Sequence, residues 1–459
     1  MLLRQWQSEC IAKAISKYKS GKSHFLCLAT PGAGKTVMAS SLAKSLLTQD
    51  EIDLIICFSP SVIVANDFQS ELECIIGKRF DGKLGSIGRS LTYQAMLSLR
   101  EEFWQLFDEY RVFVIFDEIH HCAGNAPETS NAWGELILTK IQGKATHTLA
   151  LTGTPWRSNA SPIALANYQI NNSIHCDYSY GLSKAIRDKV CRFPVITLID
   201  NDQITVTKGE KSSQFNSLQE FTAKAKTSYQ SFVTCNELIT YVLQQANNRL
   251  SKLRRHNSRA GGLIVTSSIA HALQVHQILA DQFGEQAYIA TYAQDNAQGI
   301  IKRFKHNTEK WIISVGMISE GTNIPRLQVC CHLTRVKTEL YFRQVLGRIL
   351  RVDEGRENKG YLYMPAEPSL SEYAERLNED IPNTCSIRCE SFSLLDIEKP
   401  YSKVVKTMPI NRDINLNEDY FAFNFDNPDI HSTALGQTYE AALDIFGRFN
   451  KRILPEFDL

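Results

Sequence analysis

The sequence predicts an α/β protein in which two tandem, doubly wound parallel sheets are followed by a small α-rich or mixed region. Short apolar runs alternate with helical patterns over roughly residues 1–365, as expected for parallel strands joined by helices. A glycine-rich turn breaks the first alternation at residues 30–34, and a second series of strands begins at residue 261. A chain of 459 residues is long enough for two or three domains.

The composition is that of a soluble globular protein, with 43% hydrophobic and 22% charged residues. No apolar run has the length of a membrane span, and the first residues lack the apolar core of a signal peptide. The 12 cysteines follow no repeating pattern, which is typical of reduced thiols. We therefore expect a cytoplasmic protein that has no membrane partner.

The net charge of +1 hides an uneven distribution of charge along the chain. Residues 367–459 contain 9 Lys+Arg and 17 Asp+Glu, whereas residues 1–366 contain 41 and 32. The C-terminal region is therefore acidic and the remainder is basic. A basic body suits a polyanionic partner such as nucleic acid, although a charge excess is often only a solvated surface.

The strongest local pattern follows the first predicted strand, at residues 25–28. A turn and the start of a helix there have the sequence Thr30-Pro31-Gly32-Ala33-Gly34-Lys35-Thr36. This is the layout of a phosphate-binding loop, in which backbone N–H groups and the helix N-terminus hold an anion. Lys35 would reach the β- and γ-phosphates of ATP, and the Thr36 hydroxyl would bind Mg²⁺. An ordinary strand-to-helix turn is the alternative.

A later apolar strand, at residues 112–116, ends in two adjacent carboxylates, Asp117 and Glu118. A buried parallel strand reads as a continuous apolar run, so both are expected at the same sheet edge as the phosphate-binding loop. We predict that Asp117 binds Mg²⁺ together with Thr36, and that Glu118 orients and deprotonates the attacking water. Such a pair is often only a solvated strand end, but the Gly-Lys-Thr loop upstream favours catalysis.

Three further polar residues are candidates for the same site. Gln7 lies on a predicted amphipathic helix ahead of the loop, and its amide can both donate to and accept from an adenine edge. Thr152 and Thr154 follow another buried strand and could relay between the ATP site and a neighbouring surface. Residues 59–61 and 92–94 end two more strands, and each could contact a phosphate backbone or be plain loop.

The second series of strands is expected at residues 261–267, 287–291, 311–315, 329–334 and 360–364. Residues 341–351 are predicted to form a helix, on which Arg348 and Arg351 share a face with Gln344 one turn earlier. Three polar groups beside Gly347 suit a triphosphate in a cleft. The alternative, a solvated basic face, is weakened by the apolar residues on the other side.

The domain boundaries predicted from these patterns divide the chain into four parts. Residues 1–160 form the first domain, 161–255 a linker or helical insertion, 256–366 the second domain and 367–459 the acidic C-terminal region. Helical and irregular segments are expected over 160–255, with residues 201–217 as a mobile insertion.

Taken in order, six motifs resemble those of the superfamily 2 helicases and translocases. They comprise Gln7 and residues 29–36, 117–120, 151–155, 319–325 and 344–351. The form Asp-Glu-Ile-His-His, with Phe-Arg-Gln-x-x-Gly-Arg-x-x-Arg, is most similar to the branch with restriction-enzyme motor subunits and XPB-like and UvsW-like translocases. It is less similar to the DEAD-box RNA unwinders. The resemblance covers roughly residues 1–365.

The resemblance implies two RecA-like domains, with ATP and Mg²⁺ in the cleft between them and a nucleic-acid strand across their upper surface. It implies that Arg348 and Arg351 act as arginine fingers from the second domain, together with Gln344. His120 and Thr152 would link the nucleotide and nucleic-acid sites.

The remaining nucleotide contacts implied by the resemblance come from three residues. Gln7 would read adenine, and Gly321 and Asn323 belong to a loop that faces the nucleotide. The family commonly has Asp at the position of Asn323, facing the ribose. Asn can still form a hydrogen bond there but carries no charge.

The leading hypothesis is an ATP-dependent DNA helicase or translocase that acts in repair, replication or a restriction or defence assembly. An RNA helicase is one alternative, and an ATP-switched nucleic-acid-binding regulatory module with little turnover is another. The intact Glu118, Arg348 and Arg351 argue against the second alternative. Any nuclease activity would belong to a partner subunit.

The acidic C-terminal region has an amphipathic helix pattern over residues 433–453, with apolar side chains on one face. These are Leu435, Tyr439, Ala442, Ile445 and Phe446. Because its negative charge should repel phosphates, we expect this region to lie outside the main nucleic-acid track. It would either cap the second domain or dock a partner such as a nuclease subunit.

Overall fold

The computed structural model describes residues 2–124, 126, 130–154, 161–169, 174–208, 211–225, 228–294, 296–316, 323–352, 358–379, 388–393 and 442–454. Within this part of the chain, no helix is both long and apolar enough to cross a lipid bilayer. The described residues form the two-sheet α/β fold that the sequence predicts.

The strands, in chain order, are β1 (His24–Ala29), β2 (Leu54–Ser59), β3 (Gly88–Thr92), β4 (Val112–Phe116), β5 (His147–Thr152), β6 (Asn167–Tyr168), β7 (Ile174–His175), β8 (Tyr178–Tyr180), β9 (Phe193–Asn201), β10 (Ile204–Lys208), β11 (Lys211–Phe215), β12 (Gly261–Thr266), β13 (Ala287–Thr291), β14 (Trp311–Val315), β15 (Leu327–Leu333), β16 (Lys359–Pro365), β17 (Arg388–Ser393), β18 (Ala442–Ile445) and β19 (Arg448–Leu454).

The helices are α1 (Gln5–Lys19), α2 (Lys35–Thr48), α3 (Val62–Ile76), α4 (Tyr93–Met96), α5 (Glu101–Glu109), α6 (Ala132–Leu136), α7 (Leu182–Arg187), α8 (Leu218–Lys224), α9 (Tyr229–Val233), α10 (Asn236–Arg254), α11 (Ile269–Phe283), α12 (Ala297–His306), α13 (Glu339–Ile349) and α14 (Pro368–Glu379).

The first sheet has six parallel strands in the order β3-β2-β4-β5-β1-β8. The central strand β4 is apolar throughout because both faces of the sheet are covered there. Phe113 and Ile115 of β4 belong to one hydrophobic cluster, which includes α2, while Val112 and Val114 belong to another, which includes α5. This order places the ends of β4, β5 and β1 side by side at one edge of the sheet.

The second sheet has the order β13-β14-β12-β15-β16-β9-β19-β17. Neighbouring strands pair in parallel except that β19 is antiparallel to both β9 and β17. The five strands predicted from residue 261 onwards all lie in it. The strand β9 was not predicted, because its segment was expected to be helical or irregular, and that expectation was wrong here. β9 pairs in parallel with β16, and its buried Ile196, Leu198 and Ile199 were the available signal.

The expectation of a mobile insertion at residues 201–217 was also wrong for the described residues. β10 and β11 form an antiparallel pair, and β10 also pairs with β18. The alternation along β10 explains this outcome, because the buried Ile204 and Val206 alternate with the half-buried Thr205 and Thr207. The hairpin is therefore part of the structured body.

The predicted amphipathic helix near the C-terminus is wrong over its described part. Residues 442–454 form the strands β18 and β19, with Gly447 at φ +92° between them. Glycine adopts this left-handed conformation readily, and here it joins β18, which pairs with β10, to β19, which pairs with β9. Ile445 and Phe449 are buried, whereas Phe446 is 53% exposed. Leu435 and Tyr439 lie outside the described residues.

Candidate functional site

The phosphate-binding loop joins β1 to α2, which begins at Lys35. Gly32 and Gly34 have φ angles of +83° and +94°, which glycine adopts without strain. Gly34 is the N-cap of α2, so the loop leads directly into the N-terminus of a helix of more than three turns. Such a helix N-terminus, preceded by a glycine turn, is suited to binding phosphate.

The start of α1 is bonded to this loop. The Gln7 Nε2 atom donates to Gly34 O at 2.9 Å, and Gln7 Oε1 accepts from Arg4 N at 2.9 Å. Arg4 Nη1 donates to Ala33 O at 2.7 Å. The contact of Gln7 with adenine stays a prediction. It is chemically possible because the amide oxygen and the amide nitrogen can each form one further hydrogen bond. Arg4 was not predicted, and its basic side chain three residues before Gln7 was the available signal.

The Glu118 carboxylate is the point where three strand ends meet. Its Oε1 atom accepts from Lys35 Nζ at 2.8 Å, and its Oε2 atom accepts from Gly153 N at 3.0 Å. Because β5 lies between β4 and β1, the residue after β5 reaches the same carboxylate as the lysine after β1. Glu118 has a left-handed backbone, with φ +49°, which is uncommon for a residue other than glycine.

The two adjacent carboxyl groups have opposite pKa shifts. Burial opposes ionisation of Glu118, but the Lys35 and His120 side chains outweigh it and lower the pKa of Glu118 to about 2. Burial, followed by the charge of Glu118, raises the pKa of Asp117 to about 7. Asp117 is only 7% exposed, and its carbonyl oxygen accepts from the Tyr93 hydroxyl at 2.8 Å.

These residues fit a magnesium ion. A buried carboxylate with a raised pKa is stabilised in its charged form by a nearby cation, and Asp117 has this property. Thr36 lies in the first turn of α2 and carries a hydroxyl oxygen. Carboxylate and hydroxyl oxygens are hard donors of the kind that Mg²⁺ takes. Asp117 and Thr36 are the residues that would hold it.

The residues predicted to link the two sites, His120, Thr152 and Thr154, lie next to the Glu118 carboxylate. His120 is 2% exposed, and its Nδ1 atom lies 3.0 Å from Thr152 Oγ1, 3.5 Å from Thr154 Oγ1 and 3.4 Å from Glu118 Oε2. Thr152 Oγ1 donates to Thr154 O at 2.7 Å. A proton on His120 Nδ1 therefore suits the acceptor capacity of the Thr152 hydroxyl.

The helix α13 carries Gln344 and Arg348, but it ends at Ile349. The prediction that Arg351 shares its helical face was therefore wrong. The backbone explains the difference, because Arg192 N donates to Leu350 O at 2.7 Å and Cys191 forms a β-bridge with Arg351. Strand-like pairing replaces the last helical turn, and Arg348 remains buried on the helix.

The phosphate-binding loop touches the second sheet's elements directly. A Cβ atom at Gly347 would lie 2.5 Å from Pro31 Cβ, and one at Gly32 would lie 3.0 Å from Arg351 Cγ. Glycine is therefore required at residue 347 for this approach of α13 to the loop. The cleft between the two halves is thus bounded by the loop on one side and by α13 and Arg351 on the other.

Arg351 is fixed within the second half. Its Nη1 atom donates to Asn323 Oδ1 at 2.7 Å. Burial, followed by the charge of Arg348, lowers the pKa of Arg351 to about 9, which leaves it charged at neutral pH. The predicted contact of Gly321 lies outside the described residues.

Comparison with known families agrees with this architecture. Residues 1–157 match the family model described as "Type III restriction enzyme, res subunit", and residues 245–353 match "Helicase conserved C-terminal domain". A relative from Mycobacterium leprae (strain TN), "Uncharacterized protein ML1624", is 30% identical over 392 residues. This alignment covers 82% of the chain and 64% of the relative, so the chain spans less than two thirds of that protein's length.

Two solved structures have a similar fold. The fragment of a putative HsdR subunit of a type I restriction enzyme from Vibrio vulnificus YJ016 has a TM-score of 0.56 at 15% identity, covering 81% of this chain and 65% of that one. The Type ISP restriction-modification enzyme LlaBIII has a TM-score of 0.53 at 15% identity, covering 80% and 28%.

The fold consists of two RecA-like domains, and the two family models match one domain each. The chain is therefore similar to superfamily 2 helicases, and its first domain is similar to the res subunit of type III restriction enzymes.

Proposed function

We propose that this protein is an ATP-dependent DNA translocase or helicase whose ATP hydrolysis is stimulated by nucleic acid. The observation that carries the proposal is the arrangement of Glu118. Its carboxylate contacts the lysine of the phosphate-binding loop, and the same loop touches the segment that bears Arg351. A nucleotide bound by this loop would lie between the carboxylate and the arginines.

The first half binds ATP and activates water. Residues 31–36 and the N-terminus of α2 hold the phosphates, and Asp117 and Thr36 would hold a Mg²⁺ ion, which would neutralise phosphate charge. In the structure, Lys35 and His120 together lower the pKa of Glu118 to about 2, which makes this carboxylate a weak base. When Lys35 turns to the phosphates, it leaves Glu118, whose pKa then rises towards the range of an effective general base.

The second half stabilises the charge that develops during hydrolysis. Arg348 and Arg351 supply guanidinium groups to the transferred phosphoryl group, and Gln344 lies on α13 together with Arg348. Asn323 orients Arg351 through their hydrogen bond. Because ATP is held from both sides, its binding draws the halves together and its hydrolysis releases them.

Nucleic acid binds across the carboxyl edges of both sheets. The Ser61 and Thr92 hydroxyls cap the helices α3 and α4 at that edge of the first sheet. His120, Thr152 and Thr154 link the ends of β4 and β5, and so couple this edge to Glu118. Residues 1–366 have a basic excess, so binding should be electrostatic and independent of sequence.

DNA is favoured over RNA as the substrate. The support is the match to a restriction-enzyme subunit and the fold shared with LlaBIII, whose structure is of the enzyme bound to DNA. We further propose that a nuclease, if the function requires one, is a partner subunit. The biological setting would be repair, replication or a restriction or defence assembly.

The test is the rate of ATP hydrolysis with single-stranded DNA, duplex DNA, forked DNA and RNA. We expect DNA to stimulate the wild-type rate. Glu118→Gln should lower it by about 10²–10⁴-fold while nucleotide binding is kept, and Lys35→Ala should weaken binding itself. The exposed Glu102 on α5 provides the control, since Glu102→Gln should hydrolyse ATP normally.

Each contrary outcome has a clear meaning. Stimulation by RNA alone would make the protein an RNA helicase. Tight ATP binding without turnover under every condition would make it an ATP-switched binding module. Normal turnover by Glu118→Gln would remove Glu118 from the mechanism.

A further inference from the structure

Arg192 is a buried arginine in the segment that connects the two sheets. It lies between α7, which follows the last strand of the first sheet, and β9 of the second. The residue is 1% exposed. Its Nη1 atom donates to Leu327 O at 2.7 Å and to Pro325 O and Ile349 O at 3.2 Å each. One guanidinium group thus binds carbonyl oxygens from two separate segments.

Both of these segments carry groups of the proposed nucleotide site. Ile349 ends α13, and Arg351 follows two residues later. Pro325 follows Asn323 by two residues, and Asn323 accepts the hydrogen bond from Arg351. A positive charge at the C-terminus of α13 also offsets the helix dipole and satisfies a terminal carbonyl. Arg192 therefore binds the backbone of both segments, the one that carries Asn323 and the one that carries Arg351.

The preceding residue extends this contact to the first half. The Cys191 thiol lies 3.7 Å from Pro31 O of the phosphate-binding loop, and its backbone bridges Arg351. Residues 191 and 192 thus touch the loop on one side and the arginine segment on the other. They also lie on the covalent connection between the two halves.

We infer that Arg192 is a positioning residue that fixes Arg351 and Asn323 relative to the phosphate-binding loop. This inference rests on the proposed ATP hydrolysis. Arg192 acts through Arg351, so it serves the transition state and leaves the initial binding of ATP to the first half. Lysine keeps the charge but not the planar, multiply donating head, and so it cannot hold the same set of carbonyls.

Arg254 provides a control on α10. Its guanidinium also donates to two backbone carbonyl oxygens, through Nη1 to Ala260 O at 2.7 Å and through Nη2 to Thr308 O at 2.7 Å. These carbonyls belong to the loops before β12 and β14 rather than to α13 or to the segment that carries Asn323. Replacing either arginine by lysine therefore removes hydrogen bonds between a guanidinium group and backbone carbonyls.

The experiment compares Arg192→Lys with Arg254→Lys in the full chain. The measurements are melting temperature, kcat and KM for ATP, and affinity for ADP–aluminium fluoride and for a non-hydrolysable ATP analogue. Both variants should melt earlier. Only Arg192→Lys should lose about 10- to 100-fold in kcat with an unchanged KM, and it should lose affinity for ADP–aluminium fluoride but not for the ATP analogue.

Equal kcat values in the two folded variants would overturn the inference, as would an equal loss of affinity for both ligands in Arg192→Lys. If Arg192→Lys does not fold, Arg192→Gln takes its place. Failure of both to fold, while Arg254→Lys folds, would mean that the Arg192 contacts serve stability alone. A wild-type protein that does not hydrolyse ATP would instead refute the proposed function.

Discussion

Glycine at residue 153 allows the strand β5 to approach the phosphate-binding loop closely. A Cβ atom there would lie 3.2 Å from Lys35 Nζ and 3.2 Å from Pro31 Cγ. The Gly153 N–H group also donates to Glu118. The residue is therefore in contact with both charged groups of the proposed mechanism.

Gly153→Ala should weaken ATP binding, because the added methyl group crowds the lysine that reaches the phosphates. Overpacking of this kind costs about 1–3 kcal/mol, so we expect the Kd for ATP to rise about tenfold. Gly181→Ala is the control, since a Cβ atom at Gly181 has no neighbour within 4 Å. Unchanged ATP affinity in Gly153→Ala would mean that Lys35 can move aside without loss.

Arg351→Ala should lower the rate of ATP hydrolysis by about 10³-fold, because an arginine finger supplies charge in the transition state. Binding of ATP to the first half should change little. The control is Arg376→Ala on α14, whose side chain is 46% exposed and pairs with Glu339 and Glu372. Steady-state hydrolysis is measured for both, and a normal rate in Arg351→Ala would make this arginine a structural residue.

At the scale of elements, the C-terminal strands complete the second half. β19 pairs with β9 and β17, and β18 pairs with β10. Phe449 is 1% exposed, and its ring stacks on Tyr241 of α10 with centroids 4.3 Å apart. The described part of the acidic region is therefore integrated into the fold, which favours the structural cap over a detached docking tail.

Two phenylalanines of the segment formed by β18 and β19 allow a direct test. Phe449→Ala should lower the free energy of unfolding by about 3–5 kcal/mol, because it leaves a cavity against Tyr241. Phe446→Ala should have little effect, since that side chain is 53% exposed. Urea denaturation of both variants measures the difference. Equal stability would show that β19 packs only loosely on the body.

At the scale of the whole molecule, buried histidines make stability depend on pH. Burial lowers the pKa values of His24, His271 and His332 to about 4 each. An unfolded histidine has a pKa of about 6.5, so the unfolded chain binds more protons between these values. Stability should therefore fall as the pH drops from about 6.5 towards 4, by up to about 1.4 kcal/mol per pH unit for each histidine. Asp117, with its raised pKa, acts in the opposite sense.

His24→Asn should reduce this dependence, measured as the change in melting temperature between pH 7.5 and 5. The exposed His306 on α12 provides the control, and His306→Asn should leave the slope as it is in the wild type. An identical slope in all three proteins would show that His24 does not contribute to the acid lability.

Local sequence patterns were sufficient to predict those elements of the fold that depend on residues close together in the chain. The glycines and lysine of residues 32–36 specify a turn and a helix start within a few positions. The apolar run before Asp117 specifies a buried strand whose end lies at the ligand edge. The same periodicity identified every parallel strand from β12 to β16. Local preferences and burial patterns suffice for such elements because they involve contacts of short sequence separation.

The contacts between these elements could be seen only in the tertiary structure. Gly153 reaches Glu118 because β5 lies between β4 and β1, an order that no local pattern records. Arg351 leaves its predicted helix because Cys191, far away in sequence, pairs with its backbone. β9 and β19 are strands because the unpaired edge beside β16 accepts them in turn. A strand edge binds whichever segment satisfies its N–H and C=O groups, so the outcome depends on the assembled sheet and not on the segment alone.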